Sequence, residues 1–186
     1  MLKNQLQQTA ELLLSNLGIK KGSIVLDFGC GNGNYSIAAA HLVGTQGTVI
    51  AVDESEEKVE ELEQKAKEQG FRNIHTYTCL SAIPQSVTAT VQVILAFDVL
   101  HFLDKNKRNK VYDGFHRYLS SNGLLVIHPK HTKDNHPMWH FSTISIDDLK
   151  QEIETSHFRV LQQKTVSLLH DGQVEQGPML LFKKIV

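Results

Sequence analysis

The stretch VLDFGCGNGNYS, residues 25–36, carries residue types that suit a ligand-binding loop. Three glycines alternate along it at positions 29, 31 and 33, and Asp27 precedes the first of them. Glycine lets the backbone adopt a positive φ and lets a ligand touch the main chain directly. A helix that starts near Asn34 would add N–H groups and the positive end of its dipole, which suit a carboxylate or a phosphate. The stretch therefore predicts a ligand-binding loop between a strand and a helix.

A second aspartate narrows the class of ligand. Asp53 follows Gly33 by twenty residues, at the end of the next apolar run. Its carboxylate suits a ribose diol because it can accept a hydrogen bond from each hydroxyl. A dinucleotide site prefers G-x-G-x-x-G, whereas here Asn34 occupies the third glycine position. A dinucleotide and a cofactor with a free ammonium group both fit the loop. Asp27 is better explained by the ligand with the ammonium group.

Histidines form the other chemically active set. The chain has ten, and four of them fall in the stretch HPKHTKDNHPMWHF: His128, His131, His136 and His140. Metal binding is one interpretation, but the spacing matches no zinc signature. We favour a polar lid over the site at residues 129–143, with these histidines exposed, and predict no metal. Trp139 would either close over an apolar acceptor or pin the loop to the core.

An alternation of strands and helices must position these residues. The predicted strands are 23–28, 47–53, 73–79, 91–97, 124–128, 158–169 and 177–185, and the predicted helices are 1–18, 34–43, 55–70, 104–119 and 146–156. The stretch SSNG, residues 120–123, predicts a turn before the strand 124–128. Strands separated by helices predict parallel βαβ units, and the last two strands predict an antiparallel hairpin. We expect an α/β fold in a single doubly wound, Rossmann-like domain over 1–186. Its seven-stranded sheet would be mostly parallel with an antiparallel last strand and helices on both faces, and the N-terminal helix 1–18 would pack on the core.

Composition limits the partners. The 19 Lys and Arg residues nearly balance the 20 Asp and Glu residues, so no basic field indicates a nucleic acid partner. The apolar runs are too short to insert into a membrane, and the N-terminus lacks the apolar stretch of a signal peptide. We expect a cytoplasmic protein and interpret the charged run 104–110 as a solvated face. The oligomeric state stays open.

The quoted stretch resembles motif I of the class I S-adenosylmethionine-dependent methyltransferases. VIAVDES resembles their acidic second motif, VILAFDVLHFL their fourth-strand motif, and SSNGLLVIHPK the segment around their fifth strand. The likeness is closest to small, stand-alone methyltransferase-domain proteins and implies methyl transfer from S-adenosylmethionine to a small-molecule acceptor. Such in-line displacement depends mainly on alignment and exclusion of water. A nicotinamide-dependent oxidoreductase and a non-catalytic S-adenosylmethionine-binding module remain alternatives.

The resemblance also implies a set of cofactor-binding residues. They are Asp27, Gly29, Cys30, Gly31, Asp53, Glu54, Leu80, Ser81 and Phe97. The glycine loop would bind the methionine end through its backbone, Asp27 the ammonium group and Asp53 the ribose. Glu54, Leu80 and Ser81 would lie near the adenine, and Phe97 near the sulfonium. Cys79 stands where many relatives carry an aspartate for the adenine amino group.

Catalysis and acceptor binding rest on fewer signals. In FDVLH, His101 is a candidate general base with Asp98 holding its other nitrogen, and the alternative is a structural imidazole between strand and helix. The candidate acceptor contacts are Tyr35, His128, His131 and Trp139.

Overall fold

The computed structural model describes residues 2–135, 138–170 and 172–185. The strands are β1 Ile24–Phe28, β2 Thr48–Val52, β3 Ile74–Tyr77, β4 Val91–Phe97, β5 Leu119–His128, β6 Phe158–His170 and β7 Gln173–Lys184. The helices are α1 Leu2–Asn16, α2 Asn34–Val43, α3 Glu56–Glu68, α4 Lys105–Tyr118 and α5 Ile146–Glu154. The seven strands form one mixed sheet in the order β3-β2-β1-β4-β5-β7-β6, with β7 antiparallel to β5. The predicted fold class is therefore confirmed.

Backbone contacts divide the chain into two compact units, the first of which is Met1–Ile83 with Val166–Gly177. In this unit β1, β2 and β3 run parallel. Four of the five residues of β2 are buried and apolar, as expected for a parallel strand covered on both faces. The helix α1 packs against α2. The common direction of these strands brings the loops after β1, β2 and β3 to one edge.

The second unit is Pro84–Thr165 with Pro178–Val186. Here β4 and β5 are parallel, and β7 pairs with β5 in the opposite direction. The turn predicted at 120–123 is wrong, because these residues lie inside β5. Val91 pairs with Leu119 and Val93 with Leu124, so extra residues of β5 bulge from the ladder. Exposed polar residues in this bulge imitate the composition of a turn.

Arg108 is an exception to the predicted solvated face at 104–110, whose lysines are exposed. Its side chain is buried, and its Nε and Nη2 donate to the two carboxylate oxygens of Glu152 at 2.6 and 2.8 Å. The guanidinium lies 5.1 Å from the ring centre of Phe141, and the Tyr112 hydroxyl donates to Glu152 Oε1 at 2.9 Å. The α4 charge thus joins α4 to α5.

Within the described residues, no helix is long and apolar enough to cross a bilayer.

Candidate functional site

The glycine loop after β1 is fastened to the end of β2. The backbone N–H groups of Gly29 and Cys30 both donate to the Val52 carbonyl, at 2.7 and 3.1 Å. Gly31 and Gly33 have φ of +49° and +75°, a region that disfavours residues with a Cβ. A Cβ at Gly31 would meet nothing within 4 Å, so the loop is open on that side. Backbone of this kind can approach a ligand closely.

Asp53 ties this loop to the first turn of α3. Its Oδ2 accepts from the Gly31 N–H at 2.9 Å, and its Oδ1 accepts from the Ser55 N–H at 3.0 Å. Each carboxylate oxygen has a second lone pair and can still accept from a diol. The backbone contacts fix the orientation of the carboxylate before a ligand arrives. Glu54, beside it, is exposed.

Asp27 is a buried carboxylate at the end of β1. Its side chain accepts a hydrogen bond of 2.6 Å from the Ser36 hydroxyl on α2. Burial raises the pKa of Asp27 to about 6, and the Ser36 hydrogen bond opposes this rise. A cationic group beside Asp27 would favour its charged form and lower the pKa. The carboxylate therefore suits an ammonium ligand.

Cys30 belongs to the core rather than to reactive chemistry. It packs with Ile37 and Leu62 in a buried cluster. Burial raises the pKa of its thiol, which disfavours the nucleophilic thiolate.

The remaining candidate residues of the first unit are Leu80, Ser81 and Tyr35. Leu80 and Ser81 form a short 3₁₀ turn after β3, where Cys79 is exposed and its Sγ lies 3.2 Å from the Ser81 hydroxyl. The Tyr35 hydroxyl accepts from the Leu169 N–H at 2.7 Å, and burial raises its pKa. Tyr35 is thus tied to β6.

In the second unit, Asp98, His101 and His131 converge beyond the ends of β4 and β5. The Asp98 Oδ1 lies 3.4 Å from His101 Nδ1 and 3.9 Å from His131 Nε2. The two imidazole rings meet edge to face at 4.6 Å. The Asp98 N–H donates to the carbonyl of His128, the last residue of β5, at 3.1 Å. This bond between the neighbouring strand ends positions the cluster.

Aromatic side chains enclose His101, which is 2% exposed. Trp139 stacks on its ring at 5.1 Å with an angle of 17° between the planes, and Phe102 lies at 4.1 Å. Trp139 itself is 54% exposed. In the loop 129–143, Thr132 and Phe141 are buried.

The remaining candidate residues of this unit have structural contacts. His128 is buried and its Nδ1 lies 2.7 Å from the Pro178 carbonyl, so it joins β5 to β7 and is not exposed as expected for a lid. The Phe97 ring contacts the His128 ring at 6.4 Å. His140 is exposed. His136 lies outside the described residues.

Two relationships escaped the sequence. Ser36 is the third residue of α2, and its spacing after the glycine loop is the signal that could have marked it as the partner of Asp27. Asp98 and His131 follow adjacent parallel strands, β4 and β5. The carboxyl ends of such strands share one edge, and this rule could have joined the two residues.

Comparisons with known proteins give a consistent likeness. Residues 19–173 match the sequence model described as a methyltransferase domain. The probable cobalt-precorrin-6B C(15)-methyltransferase (decarboxylating) of Saccharolobus solfataricus is 39% identical over 67 residues, which are 36% of this chain and 34% of that protein. The 23S rRNA (uracil(1939)-C(5))-methyltransferase RlmD of Acinetobacter baylyi is 38% identical over 72 residues, 39% of this chain and 16% of that protein. The match thus spans well under two thirds of either relative.

Solved structures resemble the whole fold. A SAM-dependent methyltransferase from Aquifex aeolicus superposes with a TM-score of 0.77 and 24% identity, covering 95% of this chain and 89% of that one. A geranyl diphosphate methyltransferase in complex with SAM gives a TM-score of 0.73 at 17% identity, covering 96% and 85%. At these identities the likeness concerns the fold.

Proposed function

The chain belongs to the family of methyltransferase domains, and we propose that it transfers a methyl group from S-adenosylmethionine to a small-molecule acceptor. The observation that carries the proposal is the paired hydrogen bonding of Asp53, which fixes an open glycine loop beside a carboxylate suited to a ribose. The buried Asp27 supports it because its carboxylate gains most from a positively charged ligand.

In this proposal the first unit supplies most of the cofactor contacts. When bound, S-adenosylmethionine supplies an activated methyl group on its sulfonium. The backbone of residues 29–31 binds the methionine end, Asp27 holds the ammonium group and Asp53 accepts from the ribose hydroxyls. Glu54, Leu80 and Ser81 lie along the adenine. A position of Phe97 near the sulfonium stays a prediction from the sequence.

We assign acceptor binding to Asp98, His101 and His131, with Trp139 as an apolar wall. Convergence of three polar side chains beside an exposed aromatic ring supports this assignment. Small-molecule sites use a few placed polar groups of this kind to fix the orientation of a ligand. Acceptor contacts by Tyr35 and His128 stay predictions, because their side chains already bond to the backbone of β6 and β7.

The acceptor is proposed to be a small molecule because the net charge of −1 offers no electrostatic attraction for a polyanion. One relative carries the name of an rRNA methyltransferase, so RNA belongs in the test. Replacing Asp53 tests the proposed cofactor contacts of the first unit separately from the acceptor.

Calorimetry with S-adenosylhomocysteine, S-adenosylmethionine, NAD and NADP tests the cofactor. A ligand at 100 times its dissociation constant should raise the free energy of unfolding by about 2.7 kcal/mol, which scanning calorimetry detects as a higher melting temperature. Asp53→Asn should reduce this rise in melting temperature. Binding of NAD without S-adenosylhomocysteine would refute the proposal. In an assay with S-adenosylmethionine labelled on its methyl group, we expect the label to appear on a component of pooled metabolites and not on rRNA. Cofactor binding without transfer to either would indicate a binding module, and transfer to rRNA alone would overturn the small-molecule assignment.

A further inference from the structure

We propose that Asp98, His101 and His131 form a binding site for a divalent first-row transition metal. Among the residues that the structure describes, these three offer one donor atom each, and all three atoms lie within 4.8 Å of one another. Two imidazoles and one carboxylate are a donor set that transition metals such as zinc and iron(II) accept in proteins.

The spacing of the donors suits such an ion. Ligand bonds of about 2.0–2.2 Å in tetrahedral geometry place neighbouring donors roughly 3.3 Å apart. Asp98 Oδ1 already lies 3.4 Å from His101 Nδ1, and 3.9 Å from His131 Nε2. The His131 side chain is 15% exposed, and metal binding would draw its Nε2 towards Asp98 Oδ1 by roughly half an ångström.

The surroundings of the cluster hold the donors in place. Asp98 and His131 both adopt left-handed backbone, with φ of +53° and +61°. Non-glycine residues in this region are held by their context, and such strain gathers at ligand sites. The rings of Trp139 and Phe102 cover His101 and lower the local polarity, which strengthens electrostatic interactions with a bound cation.

Sequence spacing alone favoured a lid without metal, because the histidines of 128–140 match no zinc signature. Among the described histidines of 128–140, His131 joins the cluster, and its partners come from the segment that follows β4. A ligand set drawn from two strand ends has no short-range signature.

Three protein ligands leave at least one coordination position open, as in catalytic metal sites. Resting on the proposed function, we infer that this position takes an oxygen or sulfur of the acceptor. A metal lowers the pKa of a bound hydroxyl or thiol, so the proton leaves to solvent and the lone pair becomes available for the methyl carbon. The acceptor class is then an alcohol, phenol or thiol.

Metal binding by the whole 186-residue chain tests the site without any methyl donor. After chelator treatment and dialysis, Co²⁺ and Zn²⁺ are titrated in calorimetry, with the Co²⁺ absorption spectrum recorded in parallel. We expect one equivalent to bind. Asp98→Asn and His131→Asn should each weaken binding by more than the roughly 10–100-fold typical of an outer-shell partner. Asparagine tolerates the left-handed backbone at both positions.

His140→Asn is the matched control, since His140 is an exposed histidine of the same loop. Its affinity for Co²⁺ should equal that of the wild type. Wild-type protein that binds no metal, or His131→Asn with unchanged affinity, overturns the site. S-adenosylhomocysteine binding, measured separately, reports the cofactor half: its absence with metal bound would refute the proposed function and leave the metal site standing.

Discussion

Replacing Asp27 with asparagine should stabilise the protein at neutral pH and lower its affinity for the cofactor. Burial raises the pKa of Asp27 from its ordinary value of 3.8 to about 6. The folded state therefore binds its proton more tightly than the unfolded state does. The contribution of Asp27 to stability is full below the unfolded pKa and is lost as the pH rises through the folded pKa.

A pKa rise of roughly two units corresponds to a change of about 3 kcal/mol in the free energy of unfolding. This is an upper value, because the surrounding core can relax around the charged carboxylate. Asparagine carries no charge, and its amide oxygen can still accept from Ser36. The free energy of unfolding of Asp27→Asn should therefore match that of the wild type near pH 4. Above pH 7 it should exceed the wild type by about 1–3 kcal/mol.

Urea denaturation of both proteins from pH 4 to pH 8 measures this difference. Ser36→Ala is a second arm: it removes a hydrogen bond that lowers the pKa of Asp27, so the wild-type transition should move to higher pH. Glu57→Gln, at an exposed carboxylate, controls for the loss of one negative charge. Parallel stability profiles for the wild type and Asp27→Asn would refute the reasoning.

Three further changes probe other parts of the molecule. Asp53→Ala should weaken S-adenosylhomocysteine by about 100-fold or more, because charge-assisted hydrogen bonds are worth roughly 1.5–3 kcal/mol each, and unchanged affinity in calorimetry would remove Asp53 from the site. Gly33→Ala should cost at least about 1–2 kcal/mol in urea denaturation, since its φ is +75° and a Cβ would collide with Leu62. Glu152→Gln should cost about 3–5 kcal/mol by leaving the buried Arg108 without its ion pair, and a wild-type denaturation midpoint would contradict that role.

The sequence predicted the helix and strand bounds that are determined by neighbouring residues. The bounds of α2 are those expected from the glycines at positions 33 and 44, and β4 begins and ends at the predicted residues. Periodicity and capping signals act within a few residues, so they survive in a single sequence.

The errors come from partners that lie far along the chain. Arg108 looked solvated because its partner, Glu152, follows 44 residues later. Exposed residues within β5 imitated a turn, because a bulge and a turn use similar polar residues. His128 looked exposed because the carbonyl of Pro178 lies on another strand.

The double hydrogen bonding of Asp53 turns two backbone amides into reporters of ribose binding. A hydroxyl that donates to this carboxylate withdraws electron density from the bonds to Gly31 and Ser55. Their amide protons therefore register occupancy on opposite sides of one side chain, in the glycine loop and at the start of α3. Amide chemical shifts at these two positions should change together, at the same ligand concentration, for any diol that uses Asp53.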